Sequence, residues 1–135
     1  MNELIKEISL ISDDIVFVGG VSEVLQGVRT ETNDIDIVVK SLKGFEKFGE
    51  IREFSSNCPY RFGCRRAAIN NEYFIDIWVY DELPEYIEVN NIKVETLKSM
   101  LNKYEQHIIF LERDYQVNKI KNSISRLKNY INSND

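Results

Sequence analysis

The stretch "VFVGGVSEVLQGVRTETNDIDIVV", Val16–Val39, decides how the rest of the chain is read. Extended by Ile15, its opening "IVFV" is an uninterrupted apolar run rich in β-branched residues, which predicts a central strand. Gly19 and Gly20 end that strand. Val21, Val24, Leu25 and Val28 then recur at i, i+3, i+4 and i+7, the face of a helix, with Gly27 near its end. The segment Ile35 to Lys40 predicts a second strand, and two aspartates, Asp34 and Asp36, stand at its head.

Side chains alternate faces along a strand, so Asp34 and Asp36 share one face while Ile35, Ile37 and Val39 take the other. Asp76 repeats the arrangement in "FIDIWVY", where Phe74, Asp76, Trp78 and Tyr80 oppose Ile75, Ile77 and Val79. Burying an unpaired carboxylate costs several kcal/mol, about 3 or more, so such acids persist where something cationic compensates them. A lysine, an arginine or a solvated strand end would serve for any one of them. For three acids on otherwise apolar strands a hard divalent cation is the sharper reading. Mg²⁺ takes oxygen ligands, commonly one or two carboxylates together with substrate phosphates. The glycines have a matching use, because backbone N–H groups at a helix start, unobstructed by side chains, attract anions, and Ser22 adds a hydroxyl donor.

Beyond this stretch, Leu4, Ile5, Ile8 and Ile11 predict a short amphipathic N-terminal helix. "FEKFGEIREFS" predicts a short helix and then an edge strand. "FGCRRAAI" and "EYFIDIWVY" predict an antiparallel hairpin about Asn70-Asn71, and "EYIEVNNIKV" a smaller one. From Glu95 the pattern is helical. Leu97, Met100, Leu101 and Tyr104 form one face, and Phe110, Val117, Ile120, Ile124, Leu127 and Ile131 another. Two helices with Asp114 as N-cap, or one long bent helix, both satisfy it. The expected class is α/β or α+β, a mixed sheet with helices packed on it and a C-terminal helical segment. The 135 residues suit a single domain, with a sheet core over 1–94 and C-terminal helices over 95–135.

Apolar content of 43% and charged content of 29% are those of an ordinary globular protein. No apolar run approaches the about 20 residues that span a membrane, and the N-terminus has no signal-peptide pattern, so a cytoplasmic protein is expected. A net charge of -5 argues against sequence-blind nucleic-acid binding over a broad basic surface. Cys58 and Cys64, with no histidine beside them, read as two reduced thiols and not as a zinc site. His107, the only histidine, reads as a packed or surface helical residue. Arg61, Arg65 and Arg66 with Tyr60 and Phe62 read as a solvated basic patch, or as a grip on a phosphate of nucleotide or acceptor. Lys119, Lys121, Arg126 and Lys128 read as solvated, and Trp78 as core.

The run Gly19-Gly20, thirteen residues, then Asp34-Ile35-Asp36 resembles the core of the nucleotidyltransferase superfamily. That pattern is a Gly-Gly or Gly-Ser pair, a helix, D-x-D, and a third acid on a later strand. The Gly-Gly…Arg-x-Thr…Asp-x-Asp form, here with Arg29, is similar to small bacterial members that include abortive-infection, toxin–antitoxin and antibiotic nucleotidyltransferases. The resemblance implies a nucleotidyltransferase-like sheet. It also implies Mg²⁺ (or Mn²⁺) on Asp34, Asp36 and Asp76, with Asp76 helping to activate the acceptor hydroxyl. Gly19, Gly20, Ser22 and Arg29 would bind the nucleotide phosphates. It implies transfer of an NMP group from an NTP, ATP foremost, to a protein, an RNA end or a small molecule, with no membrane involved and with a homo-oligomer or partner protein compatible. The close match covers Val16–Val39, and Asp76 extends it. Lys103, Arg113 and Asp114 resemble a Lys…Arg…Asp pattern of related tails, but the tail is too short for a separate acceptor domain. A non-catalytic nucleotide-binding or protein-interaction module with the same fold is the alternative.

Overall fold

The computed structural model describes residues 2–54 and 65–134, with residue 65 described by its backbone. Cys58, Cys64, Tyr60, Arg61 and Phe62 therefore lie outside the described residues. The chain forms α1 (Asn2–Ser9), β1 (Ile15–Val18), α2 (Gly19–Leu25), β2 (Asp34–Val39), a 3-10 turn (Phe45–Phe48), β3 (Ile51–Phe54), β4 (Arg65–Asn70), β5 (Phe74–Val79), β6 (Tyr86–Val89), β7 (Ile92–Glu95), α3 (Leu97–His107), a 3-10 turn (Ile108–Phe110) and α4 (Asp114–Ser133). The seven strands make one mixed sheet in the order β3-β4-β5-β2-β1-β7-β6. This is an α+β architecture, with four α-helices among the described residues.

The apolar alternation decides the faces. Ile35, Ile37 and Val39 of β2, Phe17 of β1 and Ile75 and Ile77 of β5 join one core with Ile5 and Ile8 of α1, Val21 of α2, and Phe45 and Phe48. Burying such side chains supplies about 1.5–3 kcal/mol each before the entropy of ordering is set against it. The opposite face carries a smaller cluster of Val16, Val18, Val38 and Trp78, covered in part by Tyr80 and Leu83. The acids belong to this second face.

One hairpin differs from expectation. The β4–β5 hairpin pairs Asn70 with Phe74, so its loop has three residues, Asn71 to Tyr73, and not two. Asn71 accounts for this: its side chain donates to the Phe48 carbonyl and accepts from the Glu72 N–H. The smaller hairpin expected in "EYIEVNNIKV" is β6–β7, and it has the two-residue Asn turn, with Val89 paired to Ile92. Asn90 and Asn91 there have φ of 52° and 67°, the left-handed values that asparagine tolerates in such turns. The C-terminal pattern resolves into two helices. Thr96 caps α3 by accepting from the Ser99 N–H at 3.2 Å. The cap position of α4 is Arg113, with Asp114 the first residue inside the helix, where its charge still complements the helix dipole. No helix among the described residues is long and apolar enough to cross a membrane.

Candidate functional site

β2 pairs with β5 in parallel, and the register sets Asp36 directly beside Asp76. Neighbouring strands lie about 4.8 Å apart, so the two acids stand on adjacent backbones and the same face. Asp34 precedes them at the strand entrance, exposed, with Thr32 Oγ1 donating to its Oδ1 at 3.3 Å. On the other side of β2, antiparallel β1 sets Val18 beside Asp36, so the chain leaves β1 into Gly19 next to that carboxylate. The three sequence-predicted acids are thus gathered at one end of the sheet.

Gly19 has a left-handed φ of +59°, and a Cβ there would lie 2.5 Å from Asp36 Oδ2. Its glycine serves both the turn and the clearance beside the acid. Gly20 is shaped by a packing contact of its own. It is buried, and a Cβ on it would meet Thr32 Oγ1 at 2.2 Å and Thr32 Cβ at 2.8 Å. Its missing side chain lets the segment before β2 pack down, and its backbone lines the same cavity as the acids. Ser22 is not among the residues that line the cavity with the acids. Its hydroxyl is fully buried and donates to the Glu95 carbonyl at 2.6 Å while accepting from Gln26 Nε2 at 2.8 Å. Its one proton is already engaged in joining α2 to the end of β7.

The acids line a cavity of about 360 Å³ floored by Val18 and Trp78 and walled by α2, α3 and α4. Burial foremost, then the charges of Asp34 and Asp76, push the Asp36 carboxyl up to about 8, against a lowering pull from Lys119 and Arg66. Without a divalent cation Asp36 therefore carries a proton at neutral pH.

Asp76 is buried and pairs with Arg66 of β4 through both oxygens, at 3.0 Å (Nε to Oδ1) and 2.8 Å (Nη2 to Oδ2). The Arg66 guanidinium lies 5.3 Å from the Phe54 ring centre and 5.8 Å from that of Trp78. Among the described residues no group of three acids, histidines or cysteines is arranged to hold a metal ion. Asp76 is committed to Arg66, so the expected three-carboxylate ligand set is not assembled here as it stands. Its chemistry nonetheless suits a hard cation: Asp34 and Asp36 have no cationic partner among the described residues, and Gly19 keeps the space at Asp36 clear.

The cavity contains residues that the sequence reading passed over. Lys119 and Arg126, expected to be solvated, both line it. Arg126 of α4 holds Glu23 of α2 at 2.8 and 3.1 Å, and Arg29 stands 3.7 Å from the same acid. The predicted phosphate ligand Arg29 thus lines the cavity but shares a buried acid. Glu95 accepts from Ser99 Oγ at 2.6 Å and Lys103 Nζ at 2.7 Å. Lys119 pairs with no acid among the described residues and faces the carboxylates from α4. A signal for this existed. Gln116, Lys119, Ser123 and Arg126 recur at steps of three, four and three, a polar stripe on one helix face.

A second cavity, about 400 Å³, lies at the opposite ends of β1 and β2. Its one carboxylate, Asp14, is 3.9 Å from Lys40, and it has no acid cluster among its lining residues. No protein-family model matches the chain, and no curated protein matches it.

Proposed function

We propose that this chain is a metal-dependent nucleotidyltransferase with a nucleotidyltransferase-like sheet, acting in the cytoplasm. It moves an NMP group from an NTP, ATP foremost, to a hydroxyl on a protein, an RNA end or a small molecule. The observation that carries the reading is the in-register pair Asp36–Asp76, with Asp34 at the strand entrance, beside the side-chain-free Gly19 and opposite Lys119.

Asp34 and Asp36 would hold Mg²⁺ or Mn²⁺, which when bound neutralises and aligns the triphosphate. Lys119, which pairs with no acid among the described residues, adds positive charge for a polyphosphate from the facing wall. Asp76 receives the proton of the acceptor hydroxyl. The acceptor oxygen bonds to the α-phosphorus, the bond from that phosphorus to its bridging oxygen breaks, and pyrophosphate leaves with the electron pair. Trp78 and Val18 close the floor against water.

The commitment of Asp76 to Arg66 favours a second reading, a non-catalytic nucleotide-binding or interaction module that keeps the fold. Thermal unfolding with ATP and Mg²⁺, separately and together, tests the first requirement. The enzyme reading expects stabilisation by ATP that depends on Mg²⁺ and is lost in Asp36→Asn. Labelled NTP incubated with a cell lysate then separates the two: transfer of label to protein, RNA or small molecule supports catalysis, and binding without transfer supports the module.

A further inference from the structure

Arg66 reaches Asp76 along a diagonal. The residue directly opposite Asp76 on β4 is Ala68, while Arg66 stands opposite Trp78. The small Ala68 side chain lets the guanidinium lie over the strand and grip both carboxylate oxygens. The carboxylate side chain is 11% exposed and the arginine side chain 34%, so one partner is fixed in the sheet and the other borders solvent. A guanidinium on both oxygens of Asp76 and a divalent cation on Asp34 and Asp36, the latter directly beside Asp76 in register, repel each other at close range in a partly dry cavity. The two cations therefore compete for the space around Asp76. Two aromatic faces, Phe54 and Trp78, already flank the guanidinium and would seat it after displacement.

We propose that Arg66 is an exchangeable counter-ion for Asp76: it holds the acid in the metal-free protein and gives it up when a divalent cation settles on Asp34 and Asp36. This rests on the metal-centre reading above. It makes Arg66 a positioning residue, one that keeps Asp76 aimed into the cavity and available only in the loaded site.

The test is a double-mutant cycle on metal binding in the full chain. Mg²⁺ and Mn²⁺ are titrated into wild type, Arg66→Gln, Asp76→Asn and the double variant, by calorimetry and by emission of Trp78, the sole tryptophan. Thermal unfolding verifies that each variant is folded, and Arg66→Lys takes the place of Arg66→Gln should that variant not fold. Removing a charged bidentate grip tightens metal binding by about tenfold, and Arg66→Lys, which loses the fork, tightens it less. In the Asp76→Asn background the gain disappears, because there is no pair to break. Wild-type Trp78 emission shifts on metal addition, and that of Arg66→Gln stays flat. A gain of equal size in the Asp76→Asn background means that Arg66 acts by through-space charge alone, and overturns the exchange while leaving the metal centre intact. Equal affinities for wild type and Arg66→Gln overturn it likewise. No metal binding by any of the proteins overturns the metal centre itself, and the exchange with it.

Discussion

Glu23, in the middle of α2 and 2% exposed, is held through both carboxylate oxygens by Arg126 of α4, 103 residues further along the chain. The pair fastens the last helix over the cavity. The Tyr130 hydroxyl adds to it by donating to the Gln26 carbonyl at 2.8 Å. Arg126→Ala leaves a buried acid with Arg29 as its remaining cation. The expected destabilisation is about 2 kcal/mol, below the value for a wholly buried pair because Arg126 borders solvent. Denaturant unfolding checks this, and Tyr130→Phe serves as a milder control at about 1 kcal/mol.

Asp36 makes the metal-free protein sensitive to pH. Its carboxyl is raised from 3.8 to about 8 in the folded chain, so the folded state binds the proton more tightly than the unfolded one. The associated stability is fully present below pH 3.8 and is lost as pH rises through about 8. Asp36→Asn removes the loss. Between about pH 5 and 8 the variant gains stability relative to wild type, and a gain of about 1 kcal/mol appears as about 4 °C in the melting midpoint. Melting curves across that range decide it; a constant difference between the two proteins would mean that Asp36 titrates normally.

Metal binding must release that proton. Mg²⁺ affinity of the wild type is therefore expected to rise with pH up to about 8 and then level off. Calorimetry in buffers of different ionisation enthalpy reads the released proton directly.

The two glycines should separate. Gly20→Ala drives a Cβ into Thr32 and is expected to lower stability by about 1–3 kcal/mol while the folded fraction binds Mg²⁺–ATP normally. Gly19→Ala costs about 1 kcal/mol or more for its positive φ and also pushes on Asp36 Oδ2, so it loses binding as well. Unfolding free energy and Mg²⁺–ATP affinity are measured on both variants.

Lys119→Ala removes the cation that faces Asp34 and Asp36 from α4. Stability is expected to change by about 0.5 kcal/mol or less, as for an exposed surface position, while Mg²⁺–ATP affinity falls about tenfold. Loss of stability without loss of affinity would assign Lys119 to the helix and not to the ligand.

The local part of this site was legible in the sequence. Alternation sets Asp34 and Asp36 opposite the apolar side of their strand and Asp76 opposite that of its own, and the apolar run of β1 with its two glycines marks the strand-to-helix turn. What could not be read is what each group faces across space. Only the fold shows that the Ser22 hydroxyl donates to the Glu95 carbonyl of β7 and that Thr32 packs against Gly20. Charges on α4 look solvated because helical spacing says which residues share a stripe and not what stands opposite. Glu23 carried a usable hint, an acid between Val21 and Val24 in a short apolar helix, the same anomaly that drew attention to Asp76.

β7 lies parallel beside β1, with Phe17 paired to Val94, and β2 lies parallel beside β5. Neither pairing is reachable by a tight turn. The β4–β5 and β6–β7 hairpins close locally, on a scale of about 1–10 μs, while the centre of the sheet waits on long loop closures. Asp36 and Asp76 come together only in that slow central step. The burial and neighbouring charge that raise the Asp36 carboxyl therefore arise only once β2 and β5 are paired. The sheet and the site are completed in one event.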